Sequence, residues 1–281
     1  MTDALMPQVD TPRSAFGVLQ RRFTVAIVGA LLALAAFSWW NTVGQSHDMS
    51  SMVQGIAQVG RDMPFDMSVG LFMTMWVAMM VAMMFPTIAP VVLLHRLVAK
   101  RRGEGAIPTV AFVGGYLLVW AVIGLIPLAA LVGFRHVANE SAWVARAGGG
   151  VLVIAGLYQF TPWKLVCLKA CRTPLSFLMT HDFGSGPGGA LRVGISHGLY
   201  CLGCCWALMA VLFVVGLMNL AWMAGIAVVF LAEKNWRHGV GLTQIVGVGI
   251  VVLGLVVIAH PALLTTVAHS TSSPGTMTMN P

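Results

Sequence analysis

An all-α polytopic transmembrane bundle of about seven spans, with its N-terminus inside, is the fold class that the sequence predicts. Three observations predict it. Only 9% of the 281 residues are charged and 58% are hydrophobic, whereas a soluble domain is about 25% charged; the mean hydropathy is +0.86. Apolar runs of roughly helical-span length recur along the chain, separated by short polar segments. With the N-terminus inside, 13 of the 16 Lys and Arg residues fall in inner segments, and only Arg61, Arg135 and Arg146 fall in outer ones, as the positive-inside rule requires. That bias also accounts for the net charge of +7 with a lipid bilayer as the partner and no nucleic acid. A bacterial inner membrane is the expected location.

Residues 1–22 read as a polar cytoplasmic tail, and the apolar run after them has no small-residue cleavage site of the secretory kind. The bundle then occupies 23–260. Its first span is Phe23–Trp40, where Trp39 and Trp40 suit an interfacial belt. The mostly polar outer segment Asn41–Ser68 follows, with His47, Met49, Met52, Met63 and Met67 in it. The second span, Val69–Leu94, is interrupted by Pro86 and Pro90; Pro86 lacks a backbone donor and is expected to kink it. The remaining spans are Pro108–Phe134, Trp143–Thr161, Val193–Val215, Met218–Ala232 and Gly239–His260. Only Gly216 and Leu217 separate the fifth and sixth, which predicts a tight hairpin. Residues 261–281 form a flexible outer tail. Gly114–Gly115, Gly148–Gly150, Gly247 and Gly249 are expected to let helices approach closely.

The chain is organised around His197–Met209, HGLYCLGCCWALM, inside the fifth span. Residues four apart share a helical face, so His197, Cys201 and Cys205 line one side, and Cys204 lies at the edge of the same stripe. Thiolate, thioether and imidazole suit soft or borderline metals such as Cu(I). Five cysteines in two tight groups make a poor disulfide framework and a better metal or redox pattern. Cysteine also packs as a small apolar side chain; the histidine one turn before the group favours function. In the second span, Met79, Met80, Met83 and Met84 project onto one half of the helix together with Met73, Met75 and Trp76. Such a face is adaptable packing or a low-affinity path for Cu(I). Met83 and Met84 should lie near the depth of Cys201–Cys205.

Cys167 and Cys171 are four apart in the inner segment after the fourth span. Lys164, Lys169 and Arg172 lie nearby and should favour their thiolates. An amphipathic juxtamembrane helix with incidental or acylated cysteines is the alternative. Glu233 and Lys234 read as a solvated pair closing the sixth span, or as a ligand or proton carrier if they face the bundle. His181 and His238 read as loop residues, and His260 marks the outer end of the last span.

Four signatures resemble a known family. They are Trp76 with Met79–Met80, Met83–Met84 and Pro86; Tyr158–Gln159 through Pro162 and Lys164 to Cys167, Leu168, Cys171, Arg172 and Pro174; the run Cys201–Met209 with Gly216 and Met218; and Glu233–Lys234. Over roughly Val69–Arg237 the chain is similar to the bacterial and archaeal family of predicted metal-binding integral membrane proteins, a domain-of-unknown-function family sometimes called copper chaperones. The resemblance implies metal binding, with Met79, Met80, Met83, Met84, Cys167, Cys171, Cys201, Cys204 and Cys205 as its functional positions.

The expected function is therefore Cu(I) binding with transfer or transport, and no enzymatic reaction. Outer methionines and His47 would collect the ion, the second-span methionines would pass it to the fifth-span cysteines, and Cys167 and Cys171 would exchange it at the inner face. Of Cys201, Cys204 and Cys205, two are expected to bind, most readily Cys201 with Cys204 or Cys205, with a methionine of Met80–Met84 as a further ligand. His197 would donate an N–H or serve as a ligand. The chain has no P-loop, so movement would follow a gradient or a partner, either a soluble copper chaperone or a metalloenzyme client. Rival readings are a thiol–disulfide electron carrier, a metal-holding assembly factor for a membrane oxidase, and, last, haem ligation by His and Met.

Overall fold

The computed structural model describes residues 26, 29–41, 65–134, 142–173, 186–215 and 220–261, and among these the regular elements are helices. In chain order they are α1 (29–41), α2 (Phe65–Arg101), α3 (Ile107–Ile123), α4 (Leu125–Phe134), α5 (Ala142–Tyr158), α6 (Pro162–Arg172), α7 (Gly186–Val215), α8 (Leu220–Asn235) and α9 (Gly239–Ala259). Residues 42–64 of the outer segment, with His47, Met49, Met52 and Met63, the Gly216–Leu217 hairpin, His181, residues 1–22 and residues 262–281 lie outside the described residues, whereas Met67 falls within α2.

Length and composition support four membrane-crossing helices: Val69–Arg101, Ile107–Ala130, Gly186–Val215 and Gly239–Ala259. The pair α5 and α6 makes a fifth if the two form one span, and they meet at a bend of 63°. Of the other two expected spans, α8 has 16 residues and the described part of α1 is shorter still. Both fall below the roughly 20 residues that span a hydrocarbon core.

The expected interruption of the second span does not occur: α2 runs unbroken through Pro86 and Pro90. Pro86 has no N–H for the carbonyl of Ala82, one turn earlier. The indole N–H of Trp39, on α1, donates to that carbonyl instead, at 3.2 Å. Trp39, read from the sequence as a belt residue, therefore serves the backbone of a neighbouring helix, while Trp40 is exposed.

Helix α3 lies along α7, and α5 lies along α9. Glycine permits both approaches, since a residue without a side chain lets two helix backbones come close. A Cβ at Gly194 would overlap the backbone of Phe112, and one at Gly115 would overlap Leu191. On the other pair, Gly149 faces Gly254 and Gly156 faces Gly247, each against partner backbone. Gly114, Gly150 and Gly249 meet no neighbour within 4 Å, so the close-packing role falls only to Gly115, Gly149 and Gly247 among those patches. The indole of Trp76 donates to the carbonyl of Trp120 at 2.8 Å and ties α2 to α3 beside the break at Gly124.

The α2–α3 turn is joined to the start of α7. Glu104 Oε1 accepts from the backbone N–H of Gly186 at 2.9 Å, and the guanidinium of Arg96 donates to the carbonyls of Glu104 and Gly105.

Candidate metal centre

The inward stripe of α7 reads Ala190, Val193, Gly194, His197, Gly198, Cys201, Cys204, Cys205, Leu208, Val211, Leu212 and Val215. This is the three- and four-residue spacing of one helical face, so the three cysteines of α7 are carried into the core by the same periodicity as its aliphatic residues. Cys201, Cys204 and Cys205 are all buried.

Helix α6 brings a fourth thiol to them. Thr161 caps it, its hydroxyl accepting from the N–H of Lys164 at 3.4 Å, and Pro162 fills the first position, where a missing N–H costs nothing. Lys164, Leu168 and Cys171 form its buried stripe. Cys171 Sγ lies 3.9 Å from Cys204 Sγ, and Cys204 Sγ lies 3.4 Å from Cys205 Sγ. All five cysteines are free thiols.

The sulfurs of Cys171, Cys201 and Cys204 lie within 4.8 Å of one another. Three sulfurs in a trigonal plane about 2.3 Å from a metal ion stand roughly 4 Å apart. The observed spacing is therefore close to what an ion placed among them requires. Thiolates select Cu(I) among other soft-site metals, so donor type and spacing both fit.

A cation also faces this group. Lys234 Nζ lies 3.2 Å from Cys201 Sγ, 3.3 Å from Thr87 Oγ1 and 3.9 Å from Met84 Sδ, and 5.8 Å from the centre of the Phe230 ring. Each of the three ammonium protons has an acceptor. The Tyr116 hydroxyl approaches Cys201 Sγ at 3.2 Å. Sequence reasoning missed Tyr116 and Thr87 and read Lys234 as solvated. The signals for Lys234 were its place at the end of an apolar run and its membership of the Glu233–Lys234 signature.

Glu233 and Lys234 are both buried, so the expected solvated pair is overturned. Adjacent helical residues point about 100° apart, and these two reach different partners. Glu233 accepts from Lys164 Nζ at 3.0 and 3.1 Å in an ion pair with almost no exposure, and Lys164 also donates to Gln159 Oε1. Lys164 and Lys234 are thus interior groups and not inner-loop charges.

The two cysteines of the expected Cys167–Cys171 pair meet different neighbours. Cys171 enters the thiol group, whereas Cys167 is half-buried with its sulfur over Gly203, where a Cβ would come within 2.5 Å of it. Two of the three cations expected to act on the pair are committed elsewhere: Lys164 to Glu233, and Arg172 to the carbonyls of Glu233, Trp236 and Arg237 at 3.0, 2.8 and 3.3 Å.

His197 is buried one turn before Cys201, with its ring 6.1 Å from that of Phe112 and 6.2 Å from that of Tyr116; it is not one of the three-ligand group. Met79, Met80, Met83 and Met84 are all buried in the core, and Met84 is the one whose sulfur reaches the polar cluster. His238 precedes α9, edge-on to Trp236, and His260 follows its last residue.

The PpoB2 family model, described as copper chaperone, matches residues 73–257. That stretch is about two thirds of the chain and holds every residue of the centre. No curated protein and no solved structure matches the chain.

Proposed function

The chain belongs to the copper chaperone family, and from that premise we propose that it binds Cu(I) inside a membrane bundle and hands it to a metalloprotein client, with no reaction of its own on a substrate. The observation that carries this reading is the convergence of Cys171, Cys201 and Cys204 within 4.8 Å in a buried site. Soft thiolates hold Cu(I), and charge there must be balanced, because a net charge in the membrane interior is costly. Three thiolates around Cu(I) carry two negative charges in total. The ammonium of Lys234 beside Cys201 offsets one of them, and the Tyr116 hydroxyl can donate to the same sulfur.

Met84 offers a neutral thioether beside this cation, and Met79, Met80 and Met83 continue the buried methionine face along α2. They form a weaker path by which the ion reaches the thiols. The basic residues Arg96, Lys100, Arg101 and Arg102 at the α2–α3 turn and Arg192 near the start of α7 support placing that side in the cytoplasm of a bacterial inner-membrane protein.

The test is X-ray absorption at the copper edge on purified protein loaded with Cu(I). Wild type is expected to show about three sulfur neighbours per ion, with Cys171→Ser, Cys201→Ser and Cys204→Ser each losing one. A folded Cys201→Ser/Cys204→Ser protein with an unchanged sulfur shell and copper content overturns the reading.

A further inference from the structure

Two of the three thiols sit on the long helix α7, but the third is on α6, an 11-residue element. A helix of that length has little stability of its own in isolation, and α6 is set off from α5 by the 63° bend. Leu168 and Cys171 pack into the core, and a set of polar contacts around Glu233 ties α6 to α8. Near the start of α6, Lys164 forms the buried ion pair with the Glu233 carboxylate and donates to Gln159; Gln159 itself donates to the carbonyl of Ala155 in α5 at 3.3 Å. At the end of α6, Arg172 donates to the main-chain carbonyls of Glu233, in the last turn of α8, and of Trp236 and Arg237 just past it, where carbonyls lack intrahelical donors; that of Trp236 also accepts from the N–H of Gly239 at 3.0 Å. Both ends of α6 are thus held to the same turn of α8, and Cys171 lies next to Arg172.

We propose that Lys164, Glu233 and Arg172 form a clamp that positions Cys171 as the removable third ligand of the thiol centre. None of the three touches the ion. They act through α6: closed, the clamp completes a three-sulfur site; open, it leaves the two sulfurs of α7. Outward residues of α6 such as Trp163 and Val166 are exposed, at 75% and 60%, and Lys169 is exposed as well. On the inner side, the polar clamp acts together with the packing of Leu168 and Cys171 in the core to fix the position of Cys171. Replacing one member of the buried pair leaves the other charge unpaired, so the position of α6 should respond to single changes.

This inference rests on the copper centre proposed above, and its test separates the two. Glu233→Gln and Arg172→Ala are compared with wild type by copper-edge absorption and by competition with a Cu(I) chelator, each also in a Cys171→Ser background. Arg172→Ala, at the more exposed end, serves if Glu233→Gln does not fold. The expected result is loss of one sulfur neighbour and an affinity equal to that of Cys171→Ser, with no further loss when the changes are combined. The exchanged pair Lys164→Glu with Glu233→Lys should recover the third sulfur. Three sulfurs retained in the clamp variants would overturn the clamp. So would an equal further loss of affinity in the Cys171→Ser background, which would mark these residues as general supports of the fold. A wild-type protein lacking a Cys171 sulfur overturns the centre itself, and the clamp with it.

Discussion

Lys234 Nζ stands 3.2 Å from Cys201 Sγ, so the first sulfur of the Cys201–Cys205 motif is held against a buried ammonium. Hydrogen bonds involving a charged group contribute about 1.5–3 kcal/mol each. Lys234→Met removes this donor and the counter-charge while keeping an unbranched side chain. Affinity for Cu(I), read by chelator competition, should fall roughly 10- to 100-fold on that scale, and Lys234→Arg should restore part of it. Unchanged affinity in Lys234→Met would show that the cation does not balance the centre.

Cys167 and Cys171 should behave differently despite sharing a helix. Cys167 faces Gly203, so Cys167→Ser should leave copper content and sulfur number as in wild type, while Cys171→Ser loses one sulfur. Equal effects from both substitutions would restore the paired-cysteine reading.

Trp39→Phe keeps the aromatic bulk but leaves the Ala82 carbonyl without its indole donor. An unsatisfied buried acceptor costs about 1–3 kcal/mol. Thermal unfolding in detergent should occur at a lower temperature, with copper stoichiometry unchanged. An unaltered transition would mean that water or another group serves that carbonyl equally well.

Gly194→Leu forces side-chain atoms into the backbone of Phe112 and should spread α3 from α7. Overpacking of a tight contact costs about 1–3 kcal/mol or more. Because Tyr116 on α3 touches Cys201 on α7, copper affinity should fall together with stability. Gly114→Leu on α3, which faces open space, should change neither.

The bond from Gly186 to Glu104 places the α2–α3 turn and the start of α7 on one side of the membrane. Reporter fusions at Lys100 and at Gly186 should read the same side, and the basic residues there predict the cytoplasm. Opposite readings would break the topology.

Composition and the length of the apolar runs determined the helical class, and periodicity the methionine face of α2 and the thiol stripe of α7, because the side chains that share a helical face follow from spacing. The cysteine and methionine motifs likewise carried the resemblance to the family whose model matches residues 73–257. Pairings between helices were not legible. Cys171 and Cys167 are equivalent by spacing, and only the docking of α6 sends one to Cys204 and the other to Gly203. Lys164, Glu233 and Lys234 look like loop and interface charges in a linear reading. The tertiary structure buries all three and gives Lys164 and Lys234 separate partners, since a charge can lie in an apolar interior only where another chain segment supplies its counter-charge or hydrogen-bond acceptors. Local spacing says which residues share a face; it does not say what that face meets.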